Sequence, residues 1–404
     1  MKKIILTLYI LFLPFQLKFF KLPLITLMNI FLVLLMFILI FSRKPDFKKI
    51  RFDKPLIIFL GIWTFSVISI SWQTAQFSEL PIGEIFIDFK RLISLVLGYY
   101  VFFSCLRTKK DASFFFKVFV VSILLVGCYT LSKGVLGGLN FADHKRSSGP
   151  FGESWQASDI AGGFLAIFTP FVLSYGVFTK KKILKIMGFF GFVICLFGVF
   201  ATYSRGSIIA LALGSTIVIA IALKQLWKRS RHAIGILFIF FLCVLVGWRW
   251  WVPSSIVNRV EKTTTEKLED NFNSTTTLDQ SSQQRFIKWQ NGLELFYQNP
   301  ILGMGFKQIQ YNCSTDPHNA FIQIAAEMGI LGLGAFLWFL VNVFREAKTL
   351  LGTEFMAIGI GFIASLSSFI VVNIFYSNFF RDTVIGSFWV ALGIMAACRK
   401  MVNQ

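Results

Sequence analysis

Apolar runs of close to 20 residues, separated by short basic stretches, recur along the whole chain. A helix needs roughly 20 such residues to cross the ~30 Å hydrocarbon core of a bilayer. Spans are therefore expected near 4–16, 22–42, 55–72, 92–106, 114–132, 158–179, 183–203, 206–223, 233–251, 320–344, 355–375 and 383–398. This predicts an all-α, polytopic integral membrane protein with about 12 transmembrane helices. The first run is short and follows Lys2 and Lys3, as in a signal peptide, but no small-residue cleavage site follows, so it is read as a helix. Of the 404 residues 55% are hydrophobic and 15% charged, too much apolar surface for a water-soluble fold to cover.

The loops carry an orientation signal. Alternate loops are basic: Arg43 to Lys54, Arg107 to Lys110, Lys180 to Lys185, Lys224 to Arg231, Arg345 to Lys348, and the tail with Arg399 and Lys400. The intervening loops are poorer or mixed, as at Glu79, Glu84 and Asp88. The positive-inside rule then places both termini in the cytoplasm. The other loops then face the outer side of the membrane. The chain divides into 1–251 (spans 1 to 9), 252–319 (a large outer loop) and 320–404 (spans 10 to 12 and a cytoplasmic tail).

The net charge of +20 is spread over these loops, which argues against nucleic acid as a partner and for membrane lipid. The six cysteines form no C-x-x-C pair and fall mostly in apolar runs, as small hydrophobes do. Three histidines do not suggest a His-rich metal site. The 49 phenylalanines read as packing rather than as an aromatic binding surface. No Gly-rich nucleotide loop, Asp-x-Asp pair or H-E-x-x-H motif is present.

The long loop has two parts. Thr263–Ser282 is rich in Thr, Ser, Glu and Asp and predicts a mobile stretch. Beyond it Phe286, Trp289, Leu293 and Phe296 recur on one helical face. Ser281 or Ser282 is the expected cap and Asn299–Pro300 the stop. Such a helix is expected at the membrane surface, over the bundle.

The informative polar residues all lie on the outer side. Arg205, in the tight turn Thr202–Gly206, is either a snorkelling arginine or a guanidinium meeting an anion or carboxylate. Arg285, expected in the first turn of the loop helix, is unfavourable against the dipole unless an anion binds there; otherwise it is a solvated loop residue. His318, with an ordinary pKa near ~6.5, suits proton transfer, or is simply a polar residue at a helix start. Asp316 is close enough in sequence to orient it or to cap the helix, and Asn319 follows directly. His144, Lys145, Arg146, Glu153, Gln156 and Asp159 form a polar loop, either lining a sugar path or merely solvated. Glu327 is an intramembrane carboxylate, functional by default or a structural partner. Asn373, Tyr376, Asn378, Arg381 and Asp382 make a short loop with no assigned role. Two arginines with a neutral histidine at one membrane face suit a pyrophosphate held by bidentate bonds, with the imidazole taking a proton from a hydroxyl.

At these residues the chain resembles a known family. Asn299–Phe306, Pro317–Gln323 and Glu327–Gly332 are similar to the signature of the O-antigen ligase and polymerase superfamily. The Ser204–Arg205–Gly206 turn and Arg285 fall where that family places two essential arginines, and the span layout with its large loop is alike. The resemblance implies transfer of a glycan from undecaprenyl pyrophosphate to an acceptor sugar hydroxyl at the periplasmic face, with no nucleotide, metal or other cofactor. It implies Arg205 and Arg285 on the pyrophosphate, His318 activating the acceptor, and inversion at the anomeric carbon. Arg146, Gln156, Asp316, Asn319 and Glu327 are then candidate substrate-binding residues. The single long loop carrying both Arg285 and His318 favours a ligase acting on lipid A core. A polymerase using a second lipid-linked repeat is the alternative. A transporter is the alternative of another class, and would call for charges deep in several spans and repeat symmetry.

Overall fold

The computed structural model describes residues 2–15, 30–34, 36–37, 54–73, 82–137, 146–152, 156–227, 280–313 and 317–403. Among these the backbone is almost entirely helical, with no strand. The helices are α1 (Lys2–Phe12), α2 (Lys54–Gln73), α3 (Ile82–Cys105), α4 (Lys109–Leu136), α5 (Ala157–Phe178), α6 (Lys182–Ala201), α7 (Arg205–Trp227), α8 (Gln280–Gln298), α9 (Gln308–Cys313), α10 (Ala320–Thr349), α11 (Met356–Phe375) and α12 (Asp382–Val402).

Seven of them, α4 to α7 and α10 to α12, are long and apolar enough to cross a membrane, and each matches an expected span within a few residues. The twelve expected spans are thus met in part. Span 9, 233–251, lies outside the described residues, as does most of span 2. The first span is an 11-residue helix prolonged by one 3-10 turn at Leu13–Phe15, short of a full crossing on its own. Helix α3 starts ten residues before the expected span, so the loop expected around Glu84 and Asp88 is helical backbone.

Helices α5 and α11 form the centre. α11 packs on α5, α7 and α10, and α5 on α6 and α7. Nearly every residue of α5 is buried, which its small residues allow. A Cβ on Gly176 would stand 2.9 Å from Gly188 Cα, so glycine lets α5 and α6 cross backbone to backbone. α6 turns Ile183, Met187, Phe189 and Phe190 outward, the face expected toward lipid. The phenylalanines largely fill the interior. Trp63, Phe59, Phe336 and Phe379 form a closed chain of ring contacts with successive centroids 4.9 to 5.7 Å apart, tying α2, α10 and the turn after α11 together.

The two ends of the bundle differ. At one end Lys3 pairs with Asp111 at 2.6 Å, Lys109 with Glu354 at 2.6 Å and Arg399 with Glu346 at 2.5 Å. That end gathers residues 2–3, the start of α4, the α10–α11 turn and the C-terminal helix. The opposite, distal end carries 146–152, 156–159, 202–205, the start of α10 and 376–382.

Candidate active site

The distal end is built on the turn after α11. Phe379 and Phe380, in a 3-10 turn, are buried against Trp63 and Phe306, which anchors the turn in the aromatic core. Asn373 accepts from the Phe379 backbone N–H at 2.8 Å and donates to Phe369 O at 2.9 Å. Asn378 donates to Asp159 O at 3.3 Å. It can do so because Gly163 has no side chain: a Cβ there would fall 1.8 Å from Asn378 Nδ2.

This anchoring fixes Tyr376, the residue at the C-cap of α11. Its ring is buried, its hydroxyl lies 2.9 Å from Ser204 Oγ, and the Arg285 guanidinium stands 5.2 Å from its ring centroid. Ser204 in turn bonds Ser207 at 2.7 Å, closing the start of α7 around Arg205. Gly206 admits the close approach of α7 to α11, since a Cβ would meet Phe375 Cβ at 2.9 Å. Burial pushes the Tyr376 phenol above its ordinary range and Asp159 adds to this, against the opposing pull of Arg285, the Ser204 bond and Arg146. The phenol is therefore protonated at neutral pH and can donate.

Arg146 and Asp159 form a mostly buried ion pair, and Arg146 Nε also donates to Thr202 O at 2.8 Å. Ser147 reinforces this junction, its N–H reaching Ala201 O at 2.9 Å and its hydroxyl Thr130 O at 2.6 Å. Arg146 thus braces the turn that carries Arg205. Gln156 accepts from Arg381 Nη2 at 2.9 Å. A cleft is lined by Gln156, Asp159, Ile160, His318, Tyr376, Ser377, Asn378 and Arg381. Among the described residues Arg146, Arg285 and Arg381 stand at this end with Asp159, which pairs with Arg146, and Asp382, which pairs with Arg91.

His318 is half-buried with φ +53, a left-handed conformation that costs a non-glycine residue about 1 kcal/mol or more. Its neighbours hold it there. Pro317 is buried, and Asn319 caps α10, its Oδ1 accepting from Phe321 N at 2.9 Å and Ile322 N at 3.1 Å. The Asn319 oxygen, expected at a substrate, is engaged in capping. Asp316, His144, Lys145 and Glu153 lie outside the described residues.

Glu327 is fully buried, accepts from Gln323 Nε2 at 3.1 Å, and is not among the residues lining the cleft. Its backbone explains the rest of the signature. α10 breaks at Gly329, φ +66 and ψ −169, where only glycine fits. The break frees helix-end carbonyls and N–H groups, and residues 300–305 fill it. Met304 N donates to Ala326 O at 2.8 Å, Gly305 N to Glu327 O at 3.0 Å, and Ile330 N to Pro300 O at 2.8 Å. Ser66 Oγ adds a 3.0 Å bond to Glu327 O. A Cβ on Gly303 would lie 2.4 Å from Glu327 C, and one on Gly329 2.1 Å from Ile301 O.

Two sequence expectations about the loop helix need correction. α8 begins at Gln280, so Ser281 and Ser282 lie inside it and Arg285 stands in its second turn, clear of the dipole's strongest effect. The expected apolar face is split: Gly292 and Leu295 are buried, with Trp289 and Phe296 half-buried, whereas Phe286 is 55% exposed and Leu293 is exposed. Sequence reasoning named Tyr376 and Arg381 without a role. Their density of polar groups between two apolar runs was the available signal. Among the described residues no three His, Cys, Asp or Glu side chains cluster as metal ligands.

Residues 190–337 match the family described as O-antigen ligase, which supports the O-antigen ligase superfamily for this chain. The match takes in the latter part of α6, all of α7, α8 and α9, and α10 as far as residue 337, and so the Arg205, Arg285 and His318 positions. No curated protein matches the chain.

Proposed function

We propose that this protein is a glycosyltransferase of the O-antigen ligase type. It moves a glycan from undecaprenyl pyrophosphate to a sugar hydroxyl of lipid A core, at the periplasmic face of the bacterial inner membrane. The observation that carries this reading is the junction at Tyr376, where the Arg285 helix, the Ser204–Arg205 turn and the His318 cleft meet.

In this reading His318 takes the proton of the acceptor hydroxyl, whose oxygen forms a bond to the anomeric carbon from the face opposite the pyrophosphate. The bond from that carbon to the pyrophosphate oxygen breaks, with inversion. Arg205 and Arg285 meet the charge that develops on the departing pyrophosphate, the group most in need of stabilisation. Tyr376 sets the guanidinium of Arg285. Gln156 and Arg381, which line the cleft, are assigned to the sugar in this reading. Arg146 acts through Asp159 and the Thr202 carbonyl rather than on substrate.

The test is reconstitution of purified protein with undecaprenyl-pyrophosphate-linked glycan and either lipid A core or a second lipid-linked repeat. Glycan joined to lipid A core, lost in His318→Ala, is the expected result. Growth of the lipid-linked chain instead would make the protein a polymerase, and no transfer to either acceptor would overturn the enzyme reading.

A further inference from the structure

Residues 299–305 are fixed to α10 by backbone bonds, and those bonds set their depth. Ile330 and Leu331 lie 14 to 18 residues from the basic positions Arg345 and Lys348, about 21 to 27 Å along a helix rising ~1.5 Å per residue. That is still inside a hydrocarbon core of ~30 Å, and tilt only deepens it. Ile330, Leu331, Leu337, Trp338, Val341 and Phe344 are exposed on one stripe of α10, the lipid-facing side of a spanning helix. Pro300 O and Ile301 O accept from Ile330 N and Leu331 N at 2.8 and 3.5 Å, so the loop sits at the level of that stripe. Ile301 is 62% exposed and Leu302 half exposed beside it.

From this we infer that residues 299–305 re-enter the outer leaflet, and that Ile301 and Leu302 face acyl chains, extending the lipid face of α10. Irregular backbone at membrane depth is tolerated only where its polar groups are satisfied within the protein. The bonds at the Gly329 break do this for the N–H groups of Gly303, Met304 and Gly305, which donate to Asn299 O, Ala326 O and Glu327 O, and for the carbonyls of Pro300 and Ile301, which accept from Ile330 and Leu331. Phe286 and Tyr297 on the exposed flank of α8 then continue the surface to the interface. The inference rests on α10 crossing the bilayer and not on the glycosyl-transfer chemistry.

A benzophenone amino acid placed singly at 301, 302, 341 or 294 in the full chain, in phosphatidylethanolamine–phosphatidylglycerol vesicles, tests it by photo-crosslinking and mass spectrometry. Lipid adducts at 301 and 302 within about threefold of the yield at 341, with tenfold less at the exposed polar position 294, are expected. Adducts at 341 with none at 301 and 302 would overturn the inference. So would crosslinks from 301 or 302 to another part of the chain or a second copy. Absence of lipid adducts at 341 as well would overturn both the re-entrant loop and the span it rests on.

Discussion

Tyr376 offers two separable contacts, and substitution reads them apart. Tyr376→Phe keeps the ring under Arg285 and removes the bond to Ser204, so stability should fall by about 1 kcal/mol and turnover by a few-fold. Tyr376→Leu removes the ring face as well, adding roughly 1 kcal/mol from the lost cation–π contact. Its effect should appear mainly in kcat if Arg285 acts on the leaving group. Equal loss in both variants would show that the ring face is idle. The Arg146–Asp159 pair is a second case. Arg146→Met strands a mostly buried carboxylate and should cost about 3 kcal/mol of unfolding free energy, whereas the double variant Arg146→Met, Asp159→Leu should recover much of it. Detergent-solubilised thermal unfolding, read as a double-mutant cycle, measures the difference. Additive effects would mean the two side chains do not communicate. These pairings join residues 13 to 172 positions apart, and no single-sequence pattern reports such distances.

At the scale of the element, the break in α10 makes the sharpest claim. Gly329→Ala puts a Cβ 2.1 Å from Ile301 O at a φ that side chains rarely adopt, and should cost more than about 3 kcal/mol or abolish folding. Gly334→Ala, one turn further with nothing within 4 Å, should be neutral or stabilising by up to about 1 kcal/mol. Yield of monodisperse protein and its midpoint of thermal unfolding decide the matter; a neutral Gly329→Ala would mean α10 runs straight. Much of the element order was legible beforehand, because hydrophobic run length reports spanning helices directly: α5 and α11 begin and end within a residue or two of the expected spans. The break was not legible. Hydropathy is blind to backbone φ, and a glycine inside an apolar run looks the same whether it packs, bends or does nothing. The signature glycines were recognised as a motif, while their task, letting residues 300–305 mend a broken helix, needed the backbone bonds. The α8 face was half legible, since periodicity gives an apolar stripe but not what covers it.

For the whole molecule, the segregation of charge pairs yields a test of sidedness. Lys3, Asp111, Lys109, Glu354, Arg399 and Glu346 gather at one end, and Tyr376, His318 and Arg381 at the other. A protein whose donor and acceptor both sit outside must present the second end outward, and the basic loops of the first end favour the cytoplasm. Glu294, on α8 beside the distal end, and Thr349, which closes α10 at the other end, are both exposed. Cysteine placed at 294 should react with a membrane-impermeant maleimide in cells with a permeabilised outer membrane. Cysteine at 349 should react only once the inner membrane is opened. The parent protein, with its native cysteines, supplies the background to subtract. Reversed labelling would put the Tyr376 junction in the cytoplasm, where no outward-facing acceptor can reach His318. Labelling of both from one side would mean that α10 does not cross at all, and the depth assigned to residues 299–305 would fall with it.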